Sequence, residues 1–250
     1  MKRVSILAAA LWALAAPLRA AEETVQYKSG EETVSGFLAT PQGGGPFPAV
    51  VVIHEWWGLD GWIKDQARAL AREGYVALAV DLYRGKVANK QEDAHQLMSG
   101  LPSDRALRDL KAAMAYLGSR KDVKQDRIGS IGWCMGGRLS LALATEAPTL
   151  AAAVAYYGAP PTDDAAIARI KAPILGNFGA EDKGPSPDQV RAFEAALKKA
   201  GKSADVKIYE GAGHAFANVN NPWGGYRAAA AKDAWARTVA FFAAQLKKQA

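Results

Sequence analysis

The chain has 250 residues, half of them hydrophobic and 22% charged, which supplies one large buried core and excludes both disorder and coiled coil. The formal charge is +6, but Lys2, Arg3 and Arg19 lie in the first twenty residues, which hold no acid, and the rest balances at 28 basic against 25 acidic residues. That excess of +3 is scattered rather than gathered into a stripe, which excludes a nucleic-acid footprint, and no Ser/Gly-rich or Pro-rich tract divides the chain.

Residues 1–20 read as a signal peptide: Lys2 and Arg3 are followed by an apolar stretch over 4–16, and Leu18-Arg19-Ala20 ends in a small residue. Cleavage after Ala20 is expected, with a retained anchor as the alternative. No later apolar run approaches the ~20 residues that span a bilayer. The expectation is therefore an exported protein, periplasmic in a bacterium, without stable membrane association after cleavage, whose single domain covers 21–250.

The domain opens with a hairpin, residues 24–28 and 33–38 around Ser29-Gly30-Glu31, which gives an antiparallel edge. Residues 49–53 are a continuous apolar run, as expected for a strand buried on both faces. A helix over 60–73, a strand over 75–80 and the loop Asp81-Leu82-Tyr83-Arg84-Gly85 follow. A longer helix is expected over 102–117, with Ser103 and Asp104 at its start. Strands over 127–131, 151–157, 173–178 and 205–209 alternate with helices from Met135, over 163–170 and over 186–200, and a helix over 227–246 closes the chain. This alternation predicts an α/β domain, a mostly parallel sheet with helices on both faces.

Cys134 is the only cysteine, so neither an intrachain disulfide nor a cysteine-based metal site is available. It stands at the centre of Gly132-Trp133-Cys134-Met135-Gly136-Gly137, a G-x-C-x-G pattern between a strand and a helix. Such a turn presents a nucleophile at a helix N-terminus, and side chains at the flanking glycines would collide with strand and helix. On the motif alone, a small buried cysteine between turn glycines fits as well. Two further elements favour chemistry. Gly179-Ala180-Glu181-Asp182 offers a carboxylate past a strand end, and Gly211-Ala212-Gly213-His214 offers a base in a glycine-rich loop after the next strand. Between the two acids, Asp182 is the candidate and Glu181 its rival. His54, at a strand end, reads as a packed histidine, and His95 as a surface residue of a polar helical stretch. His54-Glu55 lacks the second histidine of a zinc helix, so no metal and no cofactor are expected.

Five segments in order, His54-Glu55-Trp56-Trp57-Gly58, Asp81-Leu82-Tyr83, Gly132 to Gly137, Gly179 to Asp182 and Gly213-His214-Ala215-Phe216, resemble the dienelactone hydrolase family of α/β-hydrolases with a cysteine nucleophile. The resemblance implies a Cys134, His214, Asp182 triad acting on a small ester or lactone through an acyl-thioenzyme. It further implies Glu55 as a carboxylate that restrains the resting thiol, and the backbone N–H groups of Trp56 and Met135 as oxyanion donors. Tyr83, Arg84, Trp133 and Phe216 are expected to contact substrate, and Arg138 to meet an acidic partner such as Glu55. The family's name-giving enzymes hold a substrate carboxylate with two arginines. Here the first is at best the displaced Arg84 and the second position is Asn218, with Arg227 or Arg138 as substitutes, so neutral esters should compete well. A monomer or weak dimer is expected. The competing readings are a non-catalytic binding protein or a thiol redox sensor on the same fold.

Overall fold

The computed structural model describes residues 21–222 and 224–247, and the expected signal segment lies outside them. Eight strands form one sheet in the order β1-β2-β4-β3-β5-β6-β7-β8. The hairpin of β1 (Ala21–Ser29) and β2 (Glu32–Thr40) is antiparallel, and β2 pairs antiparallel with β4 (Val76–Val80). From β4 through β3 (Phe47–Ile53), β5 (Val123–Trp133), β6 (Ala152–Tyr156), β7 (Ile174–Gly179) and β8 (Ala204–Tyr209), every pairing is parallel.

Strand alternation sorts the core into two layers. In β3, Ala49, Val51 and Ile53 join the layer that holds Leu110 and Leu117 of α3 (Ser103–Gly118) and Leu139 of α4 (Met135–Glu146). Val50 and Val52 face the other layer, with Ile63 and Leu70 of α1 (Gly61–Arg72) and Phe242 of α7 (Ala228–Leu246). A strand covered on both faces has no polar position, which is why 49–53 reads as an unbroken apolar run. The remaining helices are α2 (Gln91–Ser99), α5 (Asp164–Arg169) and α6 (Pro187–Lys199). Ser186 and Gln189 cap α6 reciprocally. At the start of α3, Asp104 stands in the first turn as expected, but Ser103 is the first helical residue rather than a cap: Pro102 precedes it and no side chain caps the helix.

A charged cluster ties the hairpin to α3. Buried Asp109 accepts from Ser29 Oγ at 2.6 Å and pairs with Arg84 Nη2 at 2.8 Å. Glu32 joins Arg84 at 2.6 Å to Arg108 at 2.7 Å. Arg84 is thus bound into the antiparallel edge of the sheet. No helix among the described residues is long and apolar enough to cross a membrane.

Candidate active site

Four parallel strands bring the chemistry to one edge of the sheet, since all of them end on the same side. Glu55 follows β3, Cys134 follows β5, Asp182 follows β7 and His214 follows β8.

Cys134 sits between β5 and α4 with φ 54° and ψ −117°, a backbone conformation that costs an L-residue energy and is held by its surroundings. Its N–H donates to Tyr156 O at 3.0 Å. The glycines around it are obligatory by contact. A Cβ on Gly132 would lie 2.1 Å from Gly136 O, and one on Gly136 would lie 2.2 Å from Ile53 O. Met135 is the first residue of α4, in the turn whose N–H groups have no intrahelical acceptor. Its side chain is buried, and its sulfur accepts from Tyr83 OH at 3.3 Å.

His214 Nδ1 meets Asp182 Oδ2 at 2.8 Å, and Asp182 Oδ1 accepts from Gly184 N–H at 2.9 Å. Asp182 is buried whereas Glu181 is exposed, so the chain turns the former to the imidazole. Burial opposes charge on His214, but hydrogen bonds with Asp182 and Cys134 outweigh it and raise its pKa to about 10. An imidazolium therefore faces the sulfur at neutral pH.

Glu55 is buried, with Oε2 accepting from Asn218 Nδ2 at 2.7 Å and Oε1 accepting from Tyr157 OH at 3.1 Å. Burial raises its pKa to about 7 against these two hydrogen bonds. His54 is fully buried, which lowers its pKa to about 4 and keeps it neutral. Its Nε2 accepts from Leu82 N–H at 3.3 Å, so Nδ1 carries the proton and donates to Glu55 O at 2.5 Å. The ring therefore clamps the loop after β3 to the loop after β4, as a packed histidine.

A cavity of about 320 Å³ opens over the sulfur, lined among others by Glu55, Trp56, Trp57, Met98, Cys134 and His214. A larger, open cleft of about 690 Å³ lies beside Tyr83 and Arg84 and shares no lining residue with it. The four strand ends converge on the smaller space.

Several sequence-predicted substrate contacts are placed elsewhere. Trp133 is in the core, edge-on to Trp62 at 5.3 Å, because the elbow lifts Cys134 out and leaves the preceding side chain in the sheet layer. Phe216 is fully buried against Tyr157 at 5.4 Å and Tyr209 at 5.1 Å. Tyr83 is buried behind the elbow with its ring 4.8 Å from His54, and Arg84 is spent on Glu32 and Asp109. Arg227 donates to the carbonyls of Gly211, Gly224 and Tyr226, so it closes its own loop instead of reaching the cavity. Glu55 is bonded to Asn218 and Tyr157, which corrects the expected Arg138 pairing. His95 is exposed on α2. Tyr157 and Met98 were not singled out from the sequence. The first stands one residue past β6, and the other site residues likewise lie past the ends of parallel strands, whereas Met98 carries no motif at all.

No group of three or more His, Cys, Asp or Glu side chains among the described residues is arranged to hold a metal. The model of the dienelactone hydrolase family matches residues 34–246. A protein of Methylorubrum extorquens, provisionally named carboxymethylenebutenolidase, is 35% identical over 84% of this chain and 76% of its own. A crystal structure from Klebsiella pneumoniae, provisionally named dienelactone hydrolase, superposes with TM-score 0.83 at 31% identity, covering 90% of this chain and 98% of that one. A dienelactone hydrolase-like promiscuous phosphotriesterase from metagenomic libraries superposes with TM-score 0.84 at 25% identity, covering 91% and 99%.

Proposed function

The chain belongs to the dienelactone hydrolase family, and from that premise we propose that it hydrolyses carboxylic esters or lactones through an acyl-thioenzyme on Cys134. The observation that carries this reading is the placement of Cys134 and His214 on the wall of one cavity, with the carboxylate of Asp182 bonded to the imidazole behind them.

The sulfur of Cys134, its proton resting on His214, attacks the carbonyl carbon. A C–S bond forms and the carbonyl π pair moves to oxygen. That oxyanion is received by the N–H groups of Met135, at the start of α4, and of Trp56, in the loop after β3. Collapse breaks the C–O bond, and the departing alkoxide takes the proton from His214. The neutral imidazole then takes a proton from water, hydroxide attacks the thioester, and the sulfur leaves. Asp182 fixes the ring with Nδ1 toward itself and supports the imidazolium in both halves of the cycle.

Two alternatives lose ground on the same observations. A non-catalytic binding protein has no use for a strained elbow cysteine that shares a cavity wall with a carboxylate-backed imidazole. A redox sensor on Cys134 lacks a resolving cysteine in the chain. By its basic and apolar pattern, the segment 1–20 exports the protein, and N-terminal sequencing of the mature form, expected to begin at Ala21, tests that step.

The test of the chemistry is intact-mass analysis after mixing with an activated aryl ester at acidic pH, where deacylation slows. Wild type should gain one acyl mass, and Cys134→Ala should gain none and lose turnover by at least ~10³-fold. Wild-type turnover in a folded Cys134→Ala variant would overturn the reading.

A further inference from the structure

Asn218 is buried, and both ends of its amide are committed. Its Oδ1 accepts from Asn220 N–H at 2.8 Å, so its Nδ2 is the end presented to Glu55, at 2.7 Å. With Tyr157 OH on the other oxygen, the Glu55 carboxyl is held in one place on the cavity wall. Neither donor carries a charge, so the carboxylate is solvated without being neutralised. Among the described residues lining the cavity, His214 is the only one that can be cationic, and its imidazolium is bonded to Asp182. Of the cations expected to greet an anionic substrate, Arg84 and Arg227 are bonded away from the cavity, and Arg138 is not among the residues that line it.

We propose that Asn218 is a positioning residue for Glu55, and that the pair makes the cavity select by charge, admitting uncharged reactants at any working pH and anionic ones only when Glu55 is protonated. This deepens the hydrolase reading above by naming the substrate class, an uncharged acyl group.

The groups facing Glu55 are Asn218 and His214 from the loop after β8, Tyr157 after β6, Asp60 at the start of α1, and Cys134 on the elbow. Burial brings Glu55 to about pH 7 while His214 stays charged to about pH 10, so of these two groups it is Glu55 that changes the charge of the cavity wall between pH 6 and 8.5. Protonation there removes a negative charge next to the incoming reactant and leaves a neutral carboxyl.

The sole cysteine gives a probe that needs no hydrolysis. Iodoacetamide and iodoacetate are nearly equal in size and differ by one negative charge. Each alkylates Cys134 by forming a C–S bond with loss of iodide. The ratio of their second-order rate constants, normalised to the same ratio for glutathione, cancels whatever fraction of the sulfur is reactive. In wild type this ratio should rise on the order of tenfold from pH 6 to 8.5 with a midpoint near 7. Glu55→Gln should flatten it. Asn218→Ala should move the midpoint upward, because the lost donor stabilised the carboxylate. Asn218→Arg should lower the midpoint and the high-pH ratio together, a response that a merely structural asparagine would not give. A flat ratio in wild type, or a rise that survives in Glu55→Gln, overturns the proposal without reference to any variant's turnover. Failure of the hydrolase reading shows separately, as esters left intact by a protein whose alkylation ratio still turns with pH.

Discussion

The cluster of Arg84, Asp109, Glu32 and Arg108 and the cluster of Cys134, His214, Asp182 and Glu55 each hold a buried carboxylate, Asp109 in the first and Glu55 and Asp182 in the second, yet they are built on opposite rules. In the first, carboxylates and guanidiniums alternate at 2.6 to 2.8 Å, and buried Asp109 gains a hydroxyl donor as well. In the second, Glu55 has only neutral donors, Cys134 sits at a positive φ, and the ordinary protonation ranges of Glu55 and His214 are displaced upward. Complete pairing locks a hairpin to a helix. Incomplete pairing stores a response to whatever enters the cavity, which is how ionisable groups at reactive sites differ from those that serve structure.

The sharpest way to break this contrast is at the imidazole's partner. Asp182→Asn retains shape but loses the charge that supports the imidazolium, so kcat should fall on the order of 10³-fold with little change in melting temperature. Exposed Glu181→Gln should behave as wild type in the same assay.

The structural cluster should respond in the opposite sense. Arg84→Ala leaves buried Asp109 with Ser29 and a guanidinium 3.8 Å away, so stability in urea should drop by about 3 kcal/mol while kcat/KM for a neutral ester stays within about twofold. A large loss of activity at full stability would return Arg84 to the substrate site.

A smaller and more discriminating effect lies in the pH dependence of stability. His54 has its pKa lowered to about 4, so the unfolded chain takes up a proton that the native state refuses, and stability falls as pH drops from 6.5 toward 4. Glu55 has its pKa raised to about 7, so the native state holds a proton that the unfolded chain releases, and stability falls as pH rises from 4.5 toward 7. Between pH 4.5 and 6.5 these neighbours offset each other. Glu55→Gln should unmask the histidine, and denaturant titrations should show stability falling about 2 kcal/mol further across that window than in wild type. Parallel curves for variant and wild type would place Glu55 in an ordinary protonation range.

Much of this was legible in residues 49–53, whose unbroken apolar run marks a doubly covered strand, and in Gly132 and Gly136, which only a tight elbow requires. The ends of α1, α3, α5, α6 and α7 were legible to within a residue or two because capping and periodicity are local, whereas α2 was read only as a polar stretch around His95. The walls of the cavity were not. Trp133 and Phe216 lie beside Cys134 and His214 in sequence, but strand alternation and the loop's path turn them into the core. Arg84 follows a site motif yet answers to Asp109, 25 residues later, across a helix that periodicity does not orient. The Asn218 contact with Glu55 spans 163 residues, and its meaning appears only when the two loops are placed side by side.

That span has a consequence for how the molecule assembles. Glu55 follows a strand near the middle of the sheet, whereas His214 follows β8, the outer strand, which pairs with β7 alone and has half of its residues exposed. A strand held from one side, closing contacts distant in sequence, is among the last to settle and the first to fray. During refolding, tryptophan fluorescence from the Trp62 and Trp133 core should recover before hydrolysis does. Turnover then works as a clock for the arrival of the outer strand, and a variant that loosens β8 would leave a folded protein whose active fraction, rather than its rate per active molecule, is reduced.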